Sequence, residues 1–340
     1  MRVGIVGVGR FGRLHLNVLK QIPGCEVVAV ADIDEALVNE VAAKFDIGLA
    51  FGDPKQLICS DEIDAVDIVS DESTHGPLAI LALQHGKHVF IEKPIATSFA
   101  EAQEIERLAH ERKRVVMVGN ISRFGLPYHY IHKYIQSGAL GAVGHIRAKR
   151  DFSREWFEHF GKRVHPVYES GIHDLDLILW YVNSRCTEVY ALERRLSGNV
   201  YPDLFTALLT FENGIIATLS SAWLVPRQAP QNLVQSLELG GTIDAHIEIV
   251  GSKSSAKFDT LNTGLTVSTD SGYLMPDYIL WPDEQEETGG AIRAELRHFI
   301  RQAERNEPSP IAPLSHAVES LRIADAIVRS AGEGAPVRLE

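Results

Sequence analysis

The segment VGIVGVGRFG at residues 3–12 constrains this chain more than any other. A short apolar run ends in Gly7, Gly9 and Gly12, and the amphipathic stretch RLHLNVLKQ follows. The simplest reading is a buried strand, a tight turn and a helix. A second apolar run ends in AVAD, which puts Asp32 twenty residues beyond Gly12. This arrangement is what binding a dinucleotide needs. Gly7 permits the tight turn, Gly9 lets backbone N–H groups approach a pyrophosphate, and Gly12 lets helix and strand pack closely. The helix N-terminus favours phosphate charge. Asp32 can accept hydrogen bonds from a ribose diol and would repel a 2′-phosphate, so the pattern predicts NAD as cofactor. Arg10, beside Phe11 inside the loop, is chemically able to hold a 2′-phosphate, and NADP is therefore the alternative.

A GxGxxG taken singly is weak evidence, because glycine turns are common. Here the flanking pattern agrees with it. Apolar runs RVGIV, EVVAVAD, AVDIVS, KHVFIE and RVVMV alternate up to residue 120 with helical periodicity in EALVNEVAAKF, GPLAILALQHG and SFAEAQEIERLAHERK. Continuous apolar strands separated by helices predict an α/β, doubly wound parallel sheet over residues 1–120. Ligands bind at the carboxyl ends of such strands. That rule selects the glycine loop, Asp32, the SDESTH segment with Ser70, Glu72 and His75, and the Glu92-Lys93-Pro94 segment.

After residue 120 the pattern changes. Helices are predicted near 127–137 and 171–183, with strands in GHIRAKRDF, EVYALERR, LFTALLTFENG, IIATLSSAW, IDAHIEIVG, AKFDT and GLTVST, and turns at FENG and SGY. Residues 121–340 therefore read as an α+β domain with a large, mostly antiparallel sheet, serving substrate binding and oligomerisation. Two closing helices over 291–332 are expected to pack back on the first domain. One face of the large sheet can pack on helices. The other would lie open unless a second subunit covers it, which predicts a homodimer or homotetramer.

Composition narrows the class. The chain has 340 residues with 33 basic and 45 acidic side chains, a net charge of -12, which argues against nucleic acid and anionic membranes as partners. No apolar run is long enough to span a bilayer. The chain enters its first strand at once, and the expectation is a cytoplasmic protein without a signal peptide. Cys25, Cys59 and Cys186 are isolated and odd in number, forming neither a disulfide framework nor a metal knuckle. His129 and His132 are three apart with no ligand-spaced carboxylate or thiol, so no metal site is expected.

Lys93 ends a buried strand at the ligand edge, where a cation could stabilise a developing alkoxide; a salt bridge to Glu92 is the plain alternative. His173, in YESGIHDLDLILWY, has Glu169 four residues before it and Asp176 three after. On one helical turn a carboxylate can fix the tautomer of an imidazole and raise its basicity. This is the pairing needed to take a proton from an alcohol while a hydride leaves the same carbon. Asn120 and Arg123, in GNISRFGLP, follow a strand end and are candidate donors to a polyol, with interdomain pairing as the alternative. His75 is read as a cap of the next helix or a wall of the cofactor site. Trp180 and Tyr181 are read as core and rim.

GVGRFG, Asp32, STH, EKP, GNISRF and GIHDLDL together resemble, in order and spacing, the Gfo/Idh/MocA oxidoreductases, with FENGIIATLSSAW and IEIVG similar to that family's C-terminal sheet. The resemblance covers nearly the whole chain. It implies a Rossmann domain and a nicotinamide-dependent dehydrogenase acting on sugars, inositols or other polyols. The family lysine falls on Lys93, its bond to Pro94 is often cis in the family, and the active histidine falls on His173. The family usually has an aspartate four residues before that histidine; this chain has Glu169, one methylene longer. Family members commonly carry Thr-Pro where this chain has Ser70-Asp71, with Glu72 following. Two other readings are an enzyme that uses transient oxidation to cleave a glycoside or eliminate a group, and a non-catalytic dinucleotide sensor.

Overall fold

The computed structural model describes residues 1–340 except 161–162, 234–239, 263, 270–271, 276, 285–286 and 340, and every count and absence refers to the described residues. The chain divides into two compact units: residues 1–124 with 280–321, and residues 125–279 with 322–340. The division falls at Phe124, and the penultimate helix and the start of the last belong with the first unit.

In the first unit, β1 (Arg2–Val6), β2 (Glu26–Ala31), β3 (Leu49–Phe51), β4 (Ala65–Ile68), β5 (His88–Ile91) and β6 (Val116–Val118) form a six-stranded sheet in the order β3-β2-β1-β4-β5-β6. All neighbours are parallel. The helices α1 (Arg10–Leu19), α2 (Glu35–Phe45), α3 (Pro54–Ile58), α4 (Glu72–Gln84) and α5 (Phe99–Arg112) alternate with the strands. Central strands β4 and β5 are buried at every position, as parallel strands covered on both faces must be. The sequence pattern missed β3, because a three-residue edge strand is too short to show periodicity. It also began α4 too late: Asp71 is the cap, accepting the Ser73 N–H, and the helix starts at Glu72.

The second unit contains α6 (Leu126–Gln136), β7 (Val143–Phe152), α7 (Arg154–Phe160), α8 (Ile172–Val182), β8 (Cys186–Arg194), β9 (Leu204–Phe211), β10 (Ile216–Ala222), β11 (Ile243–Gly251), β12 (Ser255–Asp259) and the hairpin β13 (Val267–Thr269) and β14 (Gly272–Leu274). Strands β15 (Asp283–Glu284) and β16 (Glu287–Thr288) and helix α9 (Gly290–Arg305) return to the first unit. Helix α10 (Leu314–Glu333) starts there and ends in the second, before β17 (Val337–Arg338). The large sheet runs β12-β11-β7-β10-β9-β8-β17. It is mixed, since β10 lies parallel to β7 while its other ladders are antiparallel. The expected SGY turn starts at Ser271, outside the described residues.

Alternation decides the sheet's two faces. Val189, Ala191, Phe205, Ala207, Leu209, Ala217 and Leu219 are buried, whereas Tyr190, Leu192, Leu208 and Ile216 between them are exposed. Beneath the buried face, Arg150 of β7 donates two hydrogen bonds to Asp174 of α8, at 2.9 and 3.0 Å. Burial works against the Arg150 charge, but Asp174 outweighs it and raises the guanidinium pKa.

Two histidines in the first unit make stability depend on pH. Val115 N–H donates to His88 Nδ1 at 3.1 Å, and an Arg123 guanidinium nitrogen lies 3.0 Å from His316 Nδ1. Burial and an adjacent arginine hold both rings down to about 4. The unfolded chain takes up these protons near the usual histidine pKa of about 6.5, so stability falls as pH drops from about 6.5 towards 4. The urea midpoint should fall across this window. His88→Asn keeps an acceptor for the Val115 N–H without the titration and should flatten the fall; an unchanged slope would count against His88.

Candidate active site

The glycine loop shows whether a dinucleotide fits. Gly7 has φ +89°, and a Cβ there would lie 2.7 Å from the Val69 carbonyl oxygen. A Cβ on Gly12 would lie 1.9 Å from the Gly7 carbonyl oxygen, while one on Gly9 would meet nothing within 4 Å. The loop therefore closes tightly below and leaves open space over Gly9. No side chain caps α1 and its first turn has no acid, so its N-terminal N–H groups suit a pyrophosphate. Asp32 accepts the Val8 N–H at 2.9 Å and the Asp34 N–H at 3.0 Å. These bonds aim the carboxylate at the loop and leave lone pairs for a ribose diol. Arg10 is exposed, and half-buried Phe11 packs edge-on against Trp281 with ring centres 5.8 Å apart. These residues fit NAD.

The ends of β4 and β5 add the next groups. Ser70 and Glu72 are part-exposed and Asp71 is exposed, and Asp71 caps α4 by accepting the Ser73 N–H at 3.1 Å. His75 does not cap that helix. It is buried, with Nδ1 2.7 Å from the Pro94 carbonyl oxygen and Nε2 3.1 Å from that of Ser70, so it ties the two strand-end segments together. Residues 87–96 are all buried apart from Lys93. The Lys93–Pro94 bond is cis, and the Lys93 N–H donates to Glu92 Oε2 at 3.2 Å. Asn120 is buried at the end of β6. Arg123 differs from its expected role as a substrate donor. It is fully buried, and its guanidinium donates to the Ile311 carbonyl at 2.7 Å and contacts His316. A guanidinium enclosed in this way packs the connection leaving the first unit.

In the second unit a π-turn, Val167–Gly171, leads into α8. Glu169 lies in the π-turn and His173 in the first turn of α8, so their four-residue spacing is not that of an ordinary α-helical turn; π segments follow an i→i+5 pattern. Ser170 holds the π-turn in place. Its hydroxyl donates to the Pro166 carbonyl, shares a hydrogen bond with Ser221 and accepts the Trp223 indole N–H at 2.9 Å. A Cβ on Gly171 would lie 2.8 Å from the Phe205 ring. Of the eleven residues of α8, His173 is the one that is not buried. His132 stacks on Trp180 with ring centres 4.0 Å apart, and no group of three potential metal ligands occurs among the described residues.

Comparison with known proteins decides the lineage. Residues 1–120 match the GFO/IDH/MocA model for an oxidoreductase family with an NAD-binding Rossmann fold, and residues 128–257 match the GFO/IDH/MocA C-terminal domain. The 4-carboxy-2-hydroxymuconate-6-semialdehyde dehydrogenase of Sphingobium sp. is 30% identical over 236 residues, 65% of this chain and 71% of that protein. The chain belongs to the GFO/IDH/MocA oxidoreductase family.

The scyllo-inositol 2-dehydrogenase (NAD(+)) of Bacillus subtilis is 27% identical over 100% of this chain and 96% of its own length. A crystal structure of myo-inositol 2-dehydrogenase from Lactobacillus plantarum superposes with a TM-score of 0.85 over 100% of this chain and 99% of that one; at 22% identity this likeness is one of fold. The first unit of this GFO/IDH/MocA protein is an NAD-binding Rossmann domain, and the chain is an NAD-dependent oxidoreductase.

Sequence reasoning missed three groups that brace the oxidoreductase's candidate residues: the buried His15–Asp67 pair, the Ser170 hub, and the Arg150–Asp174 ion pair. Asp67 did leave a signal, as an acid inside the apolar run AVDIV. Ser170 left none, because two of its partners, Ser221 and Trp223, lie some fifty residues away in sequence. The glycine loop supplies the first test. Gly12→Ala should weaken NAD binding at least about tenfold, or about 1.4 kcal/mol, because the methyl must displace the Gly7 carbonyl. Titration of tryptophan fluorescence with NAD would measure this, and unchanged affinity would contradict the close packing.

Proposed function

We propose that this oxidoreductase transfers a hydride between a secondary alcohol of a polyol, sugar or sugar derivative and the nicotinamide of NAD. The observation that carries the reading is selective exposure: Lys93 and His173 are each the part-exposed residue of an otherwise buried segment. A buried segment that leaves a single basic side chain accessible holds that group for use on a ligand. The relatives named as inositol dehydrogenases support a polyhydroxylated substrate.

In this reading, His173 takes the hydroxyl proton, with Glu169 orienting its ring, and the Lys93 ammonium stabilises the developing alkoxide. When bound, NAD supplies the hydride acceptor. The alcohol thus loses a proton to His173 and a hydride from carbon, leaving a carbonyl. Gly7, Gly9, Arg10, Phe11 and Gly12 would hold the pyrophosphate side, and Asp32 the adenosine ribose. Ser70, Glu72 and Glu92 would line the nicotinamide side, with His75 tying their strand-end segments together. Asn120 would assist substrate binding, whereas Arg123 would act through the scaffold. The free thiols and acidic composition support a cytoplasmic setting; no helix among the described residues is long and apolar enough to cross a membrane.

The test is a panel of inositols, sugars and sugar acids with NAD and NADP, followed by the absorbance of reduced cofactor. On a responsive substrate, Lys93→Met and His173→Ala should each lower kcat by about 10² to 10⁴ while NAD still binds. Full turnover in either variant would remove that residue from the mechanism. Product release without net NADH would assign transient oxidation instead, and NAD binding without turnover of any kind would assign a sensor.

A homo-oligomer built through the exposed sheet face belongs to the same proposal. Leu192, Leu208 and Ile216 are 55%, 43% and 41% exposed on adjoining strands, and Tyr190 pairs with Leu208 across the β8–β9 ladder. Light scattering should report a dimer or tetramer. Combining Leu192→Lys with Leu208→Glu should give monomers, and a variant of unchanged mass would place the interface elsewhere.

A further inference from the structure

We propose that His15 is a positioning residue: with Asp67 it anchors the Glu92 carboxylate, and Glu92 in turn holds the backbone of Lys93. The proposal rests on the Lys93 role given above and adds residues outside that mechanism. Four groups of the first unit form a chain. His15 Nδ1 lies 2.9 Å from Asp67 Oδ2, and His15 Nε2 lies 3.4 Å from Glu92 Oε1. Glu92 Oε2 accepts the Lys93 N–H at 3.2 Å. His15 is on α1, three residues past Gly12, so the array joins the helix of the glycine loop to the strand end that carries Lys93.

The surroundings are built for it. His15 is completely buried, and Asp67 and Glu92 are 1% and 8% exposed. The His15 ring packs between Phe11 and Phe90, with centres 5.0 and 5.7 Å away. A Cβ on Gly119 would lie 2.4 Å from Glu92 Oε1, so glycine there makes room for the carboxylate. Burial disfavours charge on His15, but Asp67 and Glu92 outweigh it and raise the ring to about 10. Burial also pushes Asp67 up. The direction that follows from two carboxylates on one ring is a proton retained on the imidazole. Such an array is a poor source of net stability, since apolar replacements of buried ion pairs are often neutral or stabilising. A role in holding Lys93 explains an arrangement that stability does not.

His15→Gln shortens the reach to Glu92 while retaining a donor, and Asp67→Asn removes the charge from the other end at constant size. In the full-length protein, amide exchange in a peptide spanning residues 90–97 should speed up at least tenfold in His15→Gln, and kcat should fall at least tenfold with the NAD Kd changed less than twofold. Asp67→Asn should show the same split more weakly and takes over as the test variant if His15→Gln does not fold. A folded variant with wild-type exchange and wild-type kcat overturns the proposal. Full activity in Lys93→Met would overturn the reading beneath it instead; exchange at residues 90–97 then still decides whether His15 holds this segment.

Discussion

A methyl group at residue 12 would sit 1.9 Å from the carbonyl oxygen of Gly7. That contact distance governs the first unit. It brings the N-terminus of α1 against the end of β1, where uncapped N–H groups open towards the space above Gly9. Asp32 reaches the same loop from the end of β2 and accepts the Val8 N–H. A ligand carrying a diphosphate and a ribose diol satisfies both features with groups the loop already presents. The order β3-β2-β1-β4-β5-β6 then brings the ends of β4, β5 and β6 to the same edge of the sheet.

In each unit, burial separates enclosed polar side chains from accessible ones. His75 joins two strand-end carbonyls, His15 stands between two carboxylates, and Arg123 is enclosed by Ile311 and His316. Each is a polar side chain whose partners are protein atoms. Lys93 keeps partial exposure on a segment that is otherwise buried, and in the second unit His173 does the same on α8. The Ser170 hub and the Arg150–Asp174 pair fix the start of α8 from two sides. Rigid support of this kind is what proton transfer needs, because the barrier is sensitive to small misplacements.

Much of this was legible in the residues. The glycine loop, Asp32 and the EKP lysine follow short apolar runs whose simplest reading is a buried strand, and the rule for strand ends then places them at one edge. Helix α2 and strand β11 fall on the residues that periodicity selected. What escaped has a physical cause in each case. Strand β3 is three residues long and exists because β2 offers it hydrogen bonds. The parallel β7–β10 ladder arises from the order in which distant strands add, which no local pattern records. The π-turn at Glu169 is held by Trp223 and Ser221, some fifty residues away in sequence.

Sequence by itself determined the parallel α/β class of the first domain and a dinucleotide as its ligand, with NAD favoured, because strand–glycine–helix spacing and a strand-end acid are local properties with local physical reasons. Tertiary structure decided which polar residues are enclosed and which remain accessible. It moved Arg123 and His75 from candidate ligand contacts to framework, and it brought His15 and Asp67 beneath Lys93. Burial and partner choice depend on residues far apart in the chain, so only the folded packing could assign them.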